Sequence, residues 1–323
     1  MRNTLRDWAV LYDSDKNGLL PIVEDLEKAS GLLQSMRMSP ANNGFFHRYM
    51  LAEDLAYGGF RSLNGSIVPN SPTQEILTED LSELAAIHEL DSSYVESFNK
   101  PIEKVFGAYS SQFTTGMGQK LSRQYLYGLE GDGDADGFQG LRQLSIDNGL
   151  TQSMGGAEGS SATMFVIRWQ PGVMEGLFNE GMMANGSIVD MEIINGGKTY
   201  TKTTNTTTGA VKPIKAAMYK TSLGLLRAGA YNVATITNIQ DATDKKVSVE
   251  AIEKAIEQVK GYTNAGETVI VLNSRCMRLI KELKDTKITT YDDSDKYSAR
   301  LKSWDGVIPF FIDDNITNTE DYS

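Results

Sequence analysis

Apolar side chains recur every three or four residues in four stretches of the chain, and this spacing predicts amphipathic helices. The first stretch runs from Pro21 to about Met36, and the second is a long helix over about residues 101–127. Two shorter helices are predicted over residues 249–261 and 274–285. At about 1.5 Å per residue, the long helix would extend roughly 40 Å.

Short apolar runs predict strands in the second half of the chain. These runs are ATMFVIRW, AYNVATITNI, ETVIVLN and GVIPFFID. Two further runs, VDMEII and KTYTKTT, flank the triplet Asn195-Gly196-Gly197, which is typical of the turn of a β-hairpin. Helices and strands together predict an α+β fold.

The segment between the first two helices has a different pattern. Phe45, Phe46, Tyr49 and Met50 predict one strand, and a second extended stretch carries Phe60 and Leu63. Pro69 and Pro72 flank a turn-rich segment between these strands and the next helix. We therefore expect a long two-stranded loop with little hydrophobic core of its own.

Composition excludes several classes of protein. The 323 residues carry 31 basic and 42 acidic side chains, and the net charge of −11 disfavours a nucleic-acid-binding protein. No apolar run approaches the roughly 18 residues of a membrane span, and no apolar signal-peptide core is expected near the N-terminus. One cysteine, Cys276, excludes an internal disulfide framework.

One segment matches the calcium-loop pattern D-x-[DN]-x-[DN]-G-x5-E in full. The residues are Asp13, Asp15, Asn17, Gly18 and Glu24. Pro21 stands where a water-linked ligand is usual, and no paired second loop follows. The pattern is therefore interpreted as a turn before a helix, with no metal bound, and calcium binding stays an open alternative.

A second acidic loop carries Asp132, Asp134 and Asp136, but its twelfth position is Gln143 instead of glutamate. We expect a solvated loop there. The chain also has no phosphate-binding loop, dinucleotide fingerprint, H-E-x-x-H motif or G-x-S-x-G elbow. The prediction is a protein that is not an enzyme and needs no cofactor. Arms and loops that cannot bury themselves within one subunit are explained if neighbouring subunits bury them.

Several segments are similar, in order and spacing, to a known family. DWAVLYDSDKNGLLPIVEDLEKASGLLQSM resembles its N-terminal stretch, and NNGFFHRYMLAEDLAYGGFRSLNGSIVPNSPT resembles its extended loop. Further similar segments are LYGLEGDGDADGFQGL, GSSATMFVIRWQPGVMEGLFNEG, LGLLRAGAYNVATITNI, GETVIVLNSRCMRLIKEL and WDGVIPFFIDDNITNTE. From about Asp7 to Tyr322, the chain resembles the major capsid proteins of short-tailed, epsilon-fifteen-like double-stranded DNA bacteriophages. It departs from them in lacking a Cys-Gly pair within TEDLSELAAIHELD.

The resemblance implies the Hong Kong 97-type capsid fold, with five regions whose boundaries are approximate. They are an N-terminal arm (1–40), an extended two-stranded loop (41–80), a peripheral domain with the spine helix (81–160), a strand-rich peripheral or insertion region (161–240) and an axial domain (241–323). The implied function is self-assembly into the icosahedral head shell that encloses the packaged genome of a tailed phage.

The implied partners are other copies of the chain, in hexamers and pentamers, together with portal, scaffolding and cementing or decoration proteins. The shell would enclose DNA without sequence-specific binding, would involve no membrane, and would assemble in the bacterial host cytoplasm to become part of the virion. Aromatic residues of the loop are the candidate intersubunit contacts: Phe45, Phe46, Tyr57 and Phe60.

Two other functions stay open at this point. The first is an encapsulin-like bacterial nanocompartment shell, which would keep the fold and enclose cargo proteins. The second is a calcium-dependent binding module based on Asp13 to Glu24. Residues 51–136 hold 14 acidic and 5 basic side chains, a net charge of 5 − 14 = −9. An acidic inner surface would repel packaged DNA, although the sequence does not indicate which face carries this charge.

Overall fold

The computed structural model describes the chain in fourteen stretches. They are residues 4–7, 24–27, 29–54, 59–66, 69, 71–129, 133–157, 159–184, 188–205, 210–242, 244–261, 266–283, 288–290 and 301–320. Helices α1–α8 are Gly31–Ser35, Ser92–Ser97, Ile102–Gly107, Ser110–Tyr127, Leu141–Asp147, Glu180–Ala184, Val249–Gln258 and Ser274–Glu282. Strands β1–β15 are Met38–Pro40, Phe46–Asp54, Thr73–Asp80, Ser82–Asp91, Thr151–Ser153, Ala162–Trp169, Met174–Phe178, Asp190–Ile193, Tyr200–Asn205, Ala210–Arg227, Val233–Ile239, Glu267–Leu272, Ile288–Thr290, Leu301–Trp304 and Ile308–Ile312.

The largest sheet is the body sheet, in the order β13-β14-β15-β12-β6-β11-β5. All eight residues of β6 are buried, because the sheet is covered on both faces. Met164 and Val166 face the core formed with α7 and α8, whereas Phe165 and Ile167 face the core that includes Tyr125 of α4. The four apolar runs predicted as strands are confirmed as β6, β11, β12 and β15.

A second sheet, the peripheral sheet, follows the path β1-β7-β10-β4, and β8 and β9 also pair with β10. The 18-residue β10 extends along the whole sheet. Two tyrosine hydroxyls tie the helices to the sheet: Tyr125 of α4 donates to the Gly224 carbonyl at 3.0 Å, and Tyr219 of β10 donates to the Phe106 carbonyl at 2.8 Å. The spine region therefore lies across the peripheral sheet.

Two buried carboxylates fasten α4 to the C-terminal segment. One oxygen of Asp313 accepts bonds from the Ser30 hydroxyl (2.5 Å), the Ser122 hydroxyl (2.8 Å) and the Leu32 amide (3.0 Å). Glu320 accepts from the Tyr127 hydroxyl at 2.7 Å and from the Thr163 hydroxyl. Burial raises the pKa of Glu320, since the charged carboxylate is desolvated.

The predicted helix from Pro21 to Met36 is wrong as one continuous element. Residues 24–27 form a helical turn, and α1 begins at Gly31 after Ser30, which is extended (φ −153°) and whose hydroxyl accepts from the Leu33 amide. The Ser30 hydroxyl also donates to Asp313, so a contact with a residue far along the chain holds the break. The segment after α1 then becomes β1, which pairs in parallel with β7.

The predicted spine helix over 101–127 is likewise two helices, α3 and α4, separated at Ala108 and Tyr109. The break is local, because Ala108 and Tyr109 keep right-handed helical backbone angles. The ring of His88 on β4 lies 5.4 Å from Phe106, 4.8 Å from Tyr109 and 5.0 Å from Phe113. The predicted apolar face therefore continues across the break.

The predicted hairpin at Asn195-Gly196-Gly197 is also wrong, because β8 and β9 do not pair with each other. Both pair antiparallel with β10, one after the other, and residues 194–197 form a short 3-10 turn between them. The segment 161–240 contributes β6 and β11 to the body sheet and β7–β10 to the peripheral sheet. No helix in the described part of the chain is long and apolar enough to cross a membrane.

Candidate subunit interface

The hairpin formed by β2 and β3 is the most exposed apolar feature of the described residues. Its register pairs Phe46 with Asp80 and Met50 with Ile76. Met50 and Ile76 are 69% and 68% exposed, although they are cross-strand partners that could shield one another. The second predicted strand is β3, and not the stretch with Phe60 and Leu63, whose side chains are 111% and 96% exposed. Contiguous exposed apolar surface of this kind is typical of a protein–protein contact.

Polar contacts with the subunit hold the base of this hairpin. The Arg227 guanidinium lies 2.8 Å from a carboxylate oxygen of Glu79 and also donates to Gln139. The Tyr49 hydroxyl donates to the other Glu79 oxygen at 3.3 Å. Burial, together with this carboxylate, raises the pKa of Tyr49 to about 12, so the hydroxyl stays protonated. The base of the hairpin is therefore fixed to β10.

A second set of bonds fixes the start of β2. The Asn42 side chain donates to the Arg48 carbonyl at 2.6 Å and accepts from the Arg48 amide at 3.0 Å. The backbone N–H of Asn42 donates to the Nδ1 atom of His47 at 3.3 Å. Burial lowers the pKa of His47, which keeps this nitrogen available as an acceptor near neutral pH.

The predicted contact residues lie in different surroundings. Phe45 is 67% exposed in the turn before β2, and Phe60 is fully exposed. Phe46 is half-buried at the start of β2, with the Arg48 guanidinium 5.1 Å from its ring centroid. Tyr57 lies outside the described residues. Their role as intersubunit contacts stays a prediction.

The predicted contact residues did not include Met50, Leu63 and Ile76, which are also exposed. A signal was present: Ile76 has Gln74 and Thr78 as its neighbours on the same face of the strand. An apolar residue isolated on the polar face of a strand indicates exposure, because side chains alternate between the two faces.

The calcium-like segment lies mostly outside the described residues, which include only Glu24 of its four oxygen-bearing candidates. Asp13, Asp15 and Asn17 are not described. Glu24 lies 3.3 Å from the Arg6 guanidinium. Among the described residues, no group of three or more His, Cys, Asp or Glu side chains is arranged to hold a metal ion.

The second acidic loop is organised by Gln124 of α4. The side-chain amide nitrogen of Gln124 donates to the carbonyls of Gly128 (2.9 Å) and Phe138 (2.7 Å), and its oxygen accepts from the Asp134 amide at 2.7 Å. Asp134 lies 3.0 Å from the Lys120 ammonium, and this hydrogen bond lowers the pKa of Asp134. Asp132 is outside the described residues.

Cys276 and His88, which could act as a nucleophile and as a base, pack against other side chains in the structure. Cys276 is buried on α8, and burial raises the pKa of its thiol to about 12, so a nucleophilic thiolate is disfavoured. Burial also lowers the pKa of His88, which is surrounded by aromatic rings.

Comparison with protein families decides the identity of the chain. The model of the family described as major capsid protein GP7 matches residues 14–322. The chain belongs to this family of major capsid proteins. It is therefore a structural protein, a subunit of the head shell of a virion, and the function implied by the sequence resemblance is confirmed.

Solved structures agree with this assignment at the level of the fold. The structure of bacteriophage Epsilon15 is similar with a TM-score of 0.58 and 16% identity, over 88% of this chain and 86% of that one. The capsid of bacteriophage JBD30 (TM-score 0.47, 10% identity, 94% and 97% covered) and Mycobacterium phage Cain (0.40, 11%, 71% and 92%) are more distant. A search of curated proteins finds no match. The Hong Kong 97-type capsid fold predicted for this major capsid protein is confirmed.

Proposed function

We propose that this capsid protein assembles, as hexamers and pentamers, into the icosahedral head of a tailed bacteriophage and encloses packaged double-stranded DNA. The observation that carries the proposal is the β2–β3 hairpin. It is fixed to the subunit at its base by Arg227 and Glu79, yet Met50, Ile76 and Phe60 face solvent in a single copy. A neighbouring subunit that covers these side chains would stabilise the pair by about 25 cal/mol per Å² of apolar surface removed from water.

The contact residues follow from this arrangement. Phe45, Phe46 and Phe60 carry the largest apolar rings of the described hairpin and its preceding turn, and Tyr57 lies in the same loop. Aromatic residues are enriched where a small number of side chains provide most of an interface's binding energy. These four residues pack on a neighbouring subunit in the proposed shell.

Charge is consistent with enclosing DNA without binding it. The chain carries a net charge of −11, and residues 51–136 alone carry −9. Acidic surface repels phosphates and lets DNA be packed and released. Portal, scaffolding and cementing proteins are the further partners in this proposal, and assembly takes place in the host cytoplasm.

The five-region division is retained as part of the proposal: an arm (1–40), an extended loop (41–80), a spine-containing peripheral domain (81–160), a strand-rich region (161–240) and an axial domain (241–323). The extended loop corresponds to the hairpin and the turn before it. Strands β6 and β11 join the axial strands in one sheet, so the strand-rich region serves both domains.

Electron microscopy of the purified, overexpressed protein tests the proposal. We expect closed shells of uniform diameter, in negative stain, that contain this 35.5 kDa chain as their main component. Subunits that sediment as monomers or dimers at every concentration, also when co-expressed with the other head proteins of the same phage, would contradict it.

A further inference from the structure

Lysines are frequent in the segment that forms β9 and the long strand β10. Five lysines and no carboxylate lie between residues 193 and 226, in a chain of net charge −11. Lys202 of β9 and Lys212 of β10 are directly opposite each other in the ladder. Like charges in directly opposed positions destabilise a sheet. A charge pattern that costs stability in the single subunit is explained if an acidic partner binds there.

Two of the five lysines are available to a partner, because Lys202, Lys215 and Lys220 form ion pairs within the subunit. The Lys202 ammonium lies 2.6 Å from Glu89, whereas Lys198 and Lys212 form no ion pair with any described residue. The pairing of β4 with β10 ends at Asp91 and Ile214, so Lys212 lies beyond the end of β4. All three lysines are exposed. Lys198, Lys202 and Lys212 are called the basic end below.

Unpaired negative charge lies near the other end of β10, at the start of β4 and on β3 of the neighbouring hairpin. Residues 62–99 contain seven carboxylates and no lysine or arginine, but Glu89, Asp91 and Glu96 of this set lie beside the lysines of β9 and β10. Glu79 is neutralised by Arg227. Glu75, Asp80 and Glu83 are exposed and form no ion pair with a described residue, and these three are called the acidic end.

The geometry of β10 keeps the two ends apart within one subunit. Glu83 is the cross-strand partner of Ser222, and Asp80 lies against Gly224. Lys212 is ten residues from Ser222, which at about 3.3 Å per residue is roughly 33 Å along a strand. An ion pair needs about 4 Å, so these opposite charges cannot pair within one copy.

We infer that the basic end of one subunit binds the acidic end of a second copy of the chain. The inference rests on the proposed assembly and names one of its contacts. Opposite charges at the two ends of one rigid strand define a head-to-tail contact, and such contacts close into rings when the rotation between copies allows it. A second copy is favoured over DNA because it supplies three unpaired carboxylates, while the net charge of the chain repels phosphates.

Charge reversal in the full-length chain tests the contact. The variant Lys198→Glu/Lys212→Glu keeps both residues of the Lys202–Glu89 pair, although it places a new carboxylate opposite Lys202. The fraction of protein in shells is measured by sedimentation and electron microscopy, and we expect it to fall at least tenfold. Lys254→Glu/Lys281→Glu is the matched control, since it makes the same charge change at exposed positions of α7 and α8 and should assemble like wild type.

A second variant restores complementarity. Adding Asp80→Lys/Glu83→Lys to the reversed lysines exchanges the signs of both ends and should recover shells. The neutral variant Lys198→Gln/Lys212→Gln separates assembly from folding. It should assemble less than wild type, but circular dichroism melts should show a melting temperature at or above that of wild type, because the repulsion between Lys202 and Lys212 is removed.

The outcomes separate this inference from the proposed function. Normal shells from Lys198→Glu/Lys212→Glu would overturn the inference and leave assembly intact. The inference would also be overturned if the reversed lysines abolish shells and adding Asp80→Lys/Glu83→Lys does not restore them. Variants that assemble normally but no longer bind double-stranded DNA in a gel-shift assay would overturn it as well. Absence of shells from the wild-type chain under every condition would instead contradict the proposed function.

Discussion

Strands β6 and β3 have the same length, eight residues, and opposite environments. Every residue of β6 is buried between two cores, whereas six of the eight residues of β3 are exposed. The body sheet thus holds its apolar residues inside one subunit, while the hairpin presents Ile76 to solvent. The difference is consistent with the proposed division of tasks within this capsid protein, in which the body stabilises the subunit and the hairpin contacts other subunits.

The two regions are also fastened differently. The body uses buried carboxylates that receive several donors each, as Asp313 does from Ser30, Ser122 and Leu32. The hairpin is fastened at its base, through Glu79 and Arg227. Substitutions in the body should therefore change the stability of the subunit, and substitutions in the hairpin should change assembly.

The largest effect on stability is expected from Asp313→Ala. Removing the carboxylate leaves two buried serine hydroxyls and two backbone amides without an acceptor, and each unsatisfied buried group costs about 1–3 kcal/mol. We expect the free energy of unfolding, measured by urea denaturation, to fall by about 3 kcal/mol or more. Exposed Asp244→Ala is the control. A fall of less than about 1 kcal/mol would show that α1 and α4 do not depend on this carboxylate.

A pH effect is expected at Glu320. Because its pKa is raised by burial, its contribution to stability is complete below the ordinary value of 4.5 and is lost as the pH rises through the raised pKa. Glu320→Gln keeps an acceptor for Tyr127 without a charge. The variant should lose less stability than wild type as the pH rises above 4.5, measured by urea denaturation. An identical pH dependence in both proteins would rule out a buried carboxyl with a raised pKa at this position.

A smaller effect of the opposite sign is expected at His88. Burial lowers its pKa, so its contribution is complete above about 6.5 and is lost as the pH falls through the lowered pKa. His88→Phe should preserve the aromatic packing with Phe106 and Tyr109 and remove this loss. The melting temperatures of both proteins at pH 5 and pH 7.5 measure this loss. If the melting temperature of the variant differs between the two pH values as much as that of wild type, His88 is not the source of the loss.

The smallest effect on the subunit is expected in the hairpin, from Phe60→Ser/Leu63→Ser. Both side chains are almost fully exposed, so the unfolding free energy should change by no more than about 0.5 kcal/mol. Shell yield, in contrast, should drop. Val307→Ser, 67% exposed in a turn of the body, is the control that should assemble normally. Equal shell yields from Phe60→Ser/Leu63→Ser and Val307→Ser would contradict a special role of the hairpin in assembly.

Sequence patterns predicted the body far better than the connections. β6 and β12 were predicted because a strand covered on both faces is a nearly continuous apolar run. The break at Ala108 and Tyr109 was missed, because the apolar spacing of Phe106, Tyr109 and Phe113 continues across it. The pairing of β8 and β9 with β10 was missed because it depends on a third strand, whereas the Asn-Gly-Gly signal describes only a local turn.

The candidate interface was predicted in outline only. A long loop between two helices with few core residues indicated the hairpin, and its aromatic residues suggested contacts. Which apolar side chains face solvent depends on register: Met50 is exposed because it pairs with Ile76 on the outward face. The buried acceptors Asp313 and Glu320 carry no sequence signal, because their donors are up to 283 residues away.

Hydrogen–deuterium exchange of free subunits and of assembled shells tests the division between body and hairpin most directly. Assembly should slow exchange of the amides in β2 and β3 at least tenfold, because a neighbouring subunit covers them, whereas β6 should be equally protected in both states. Unchanged exchange in the hairpin, or a gain of protection confined to the body sheet, would contradict the account that the hairpin is the surface by which this capsid protein meets its neighbours.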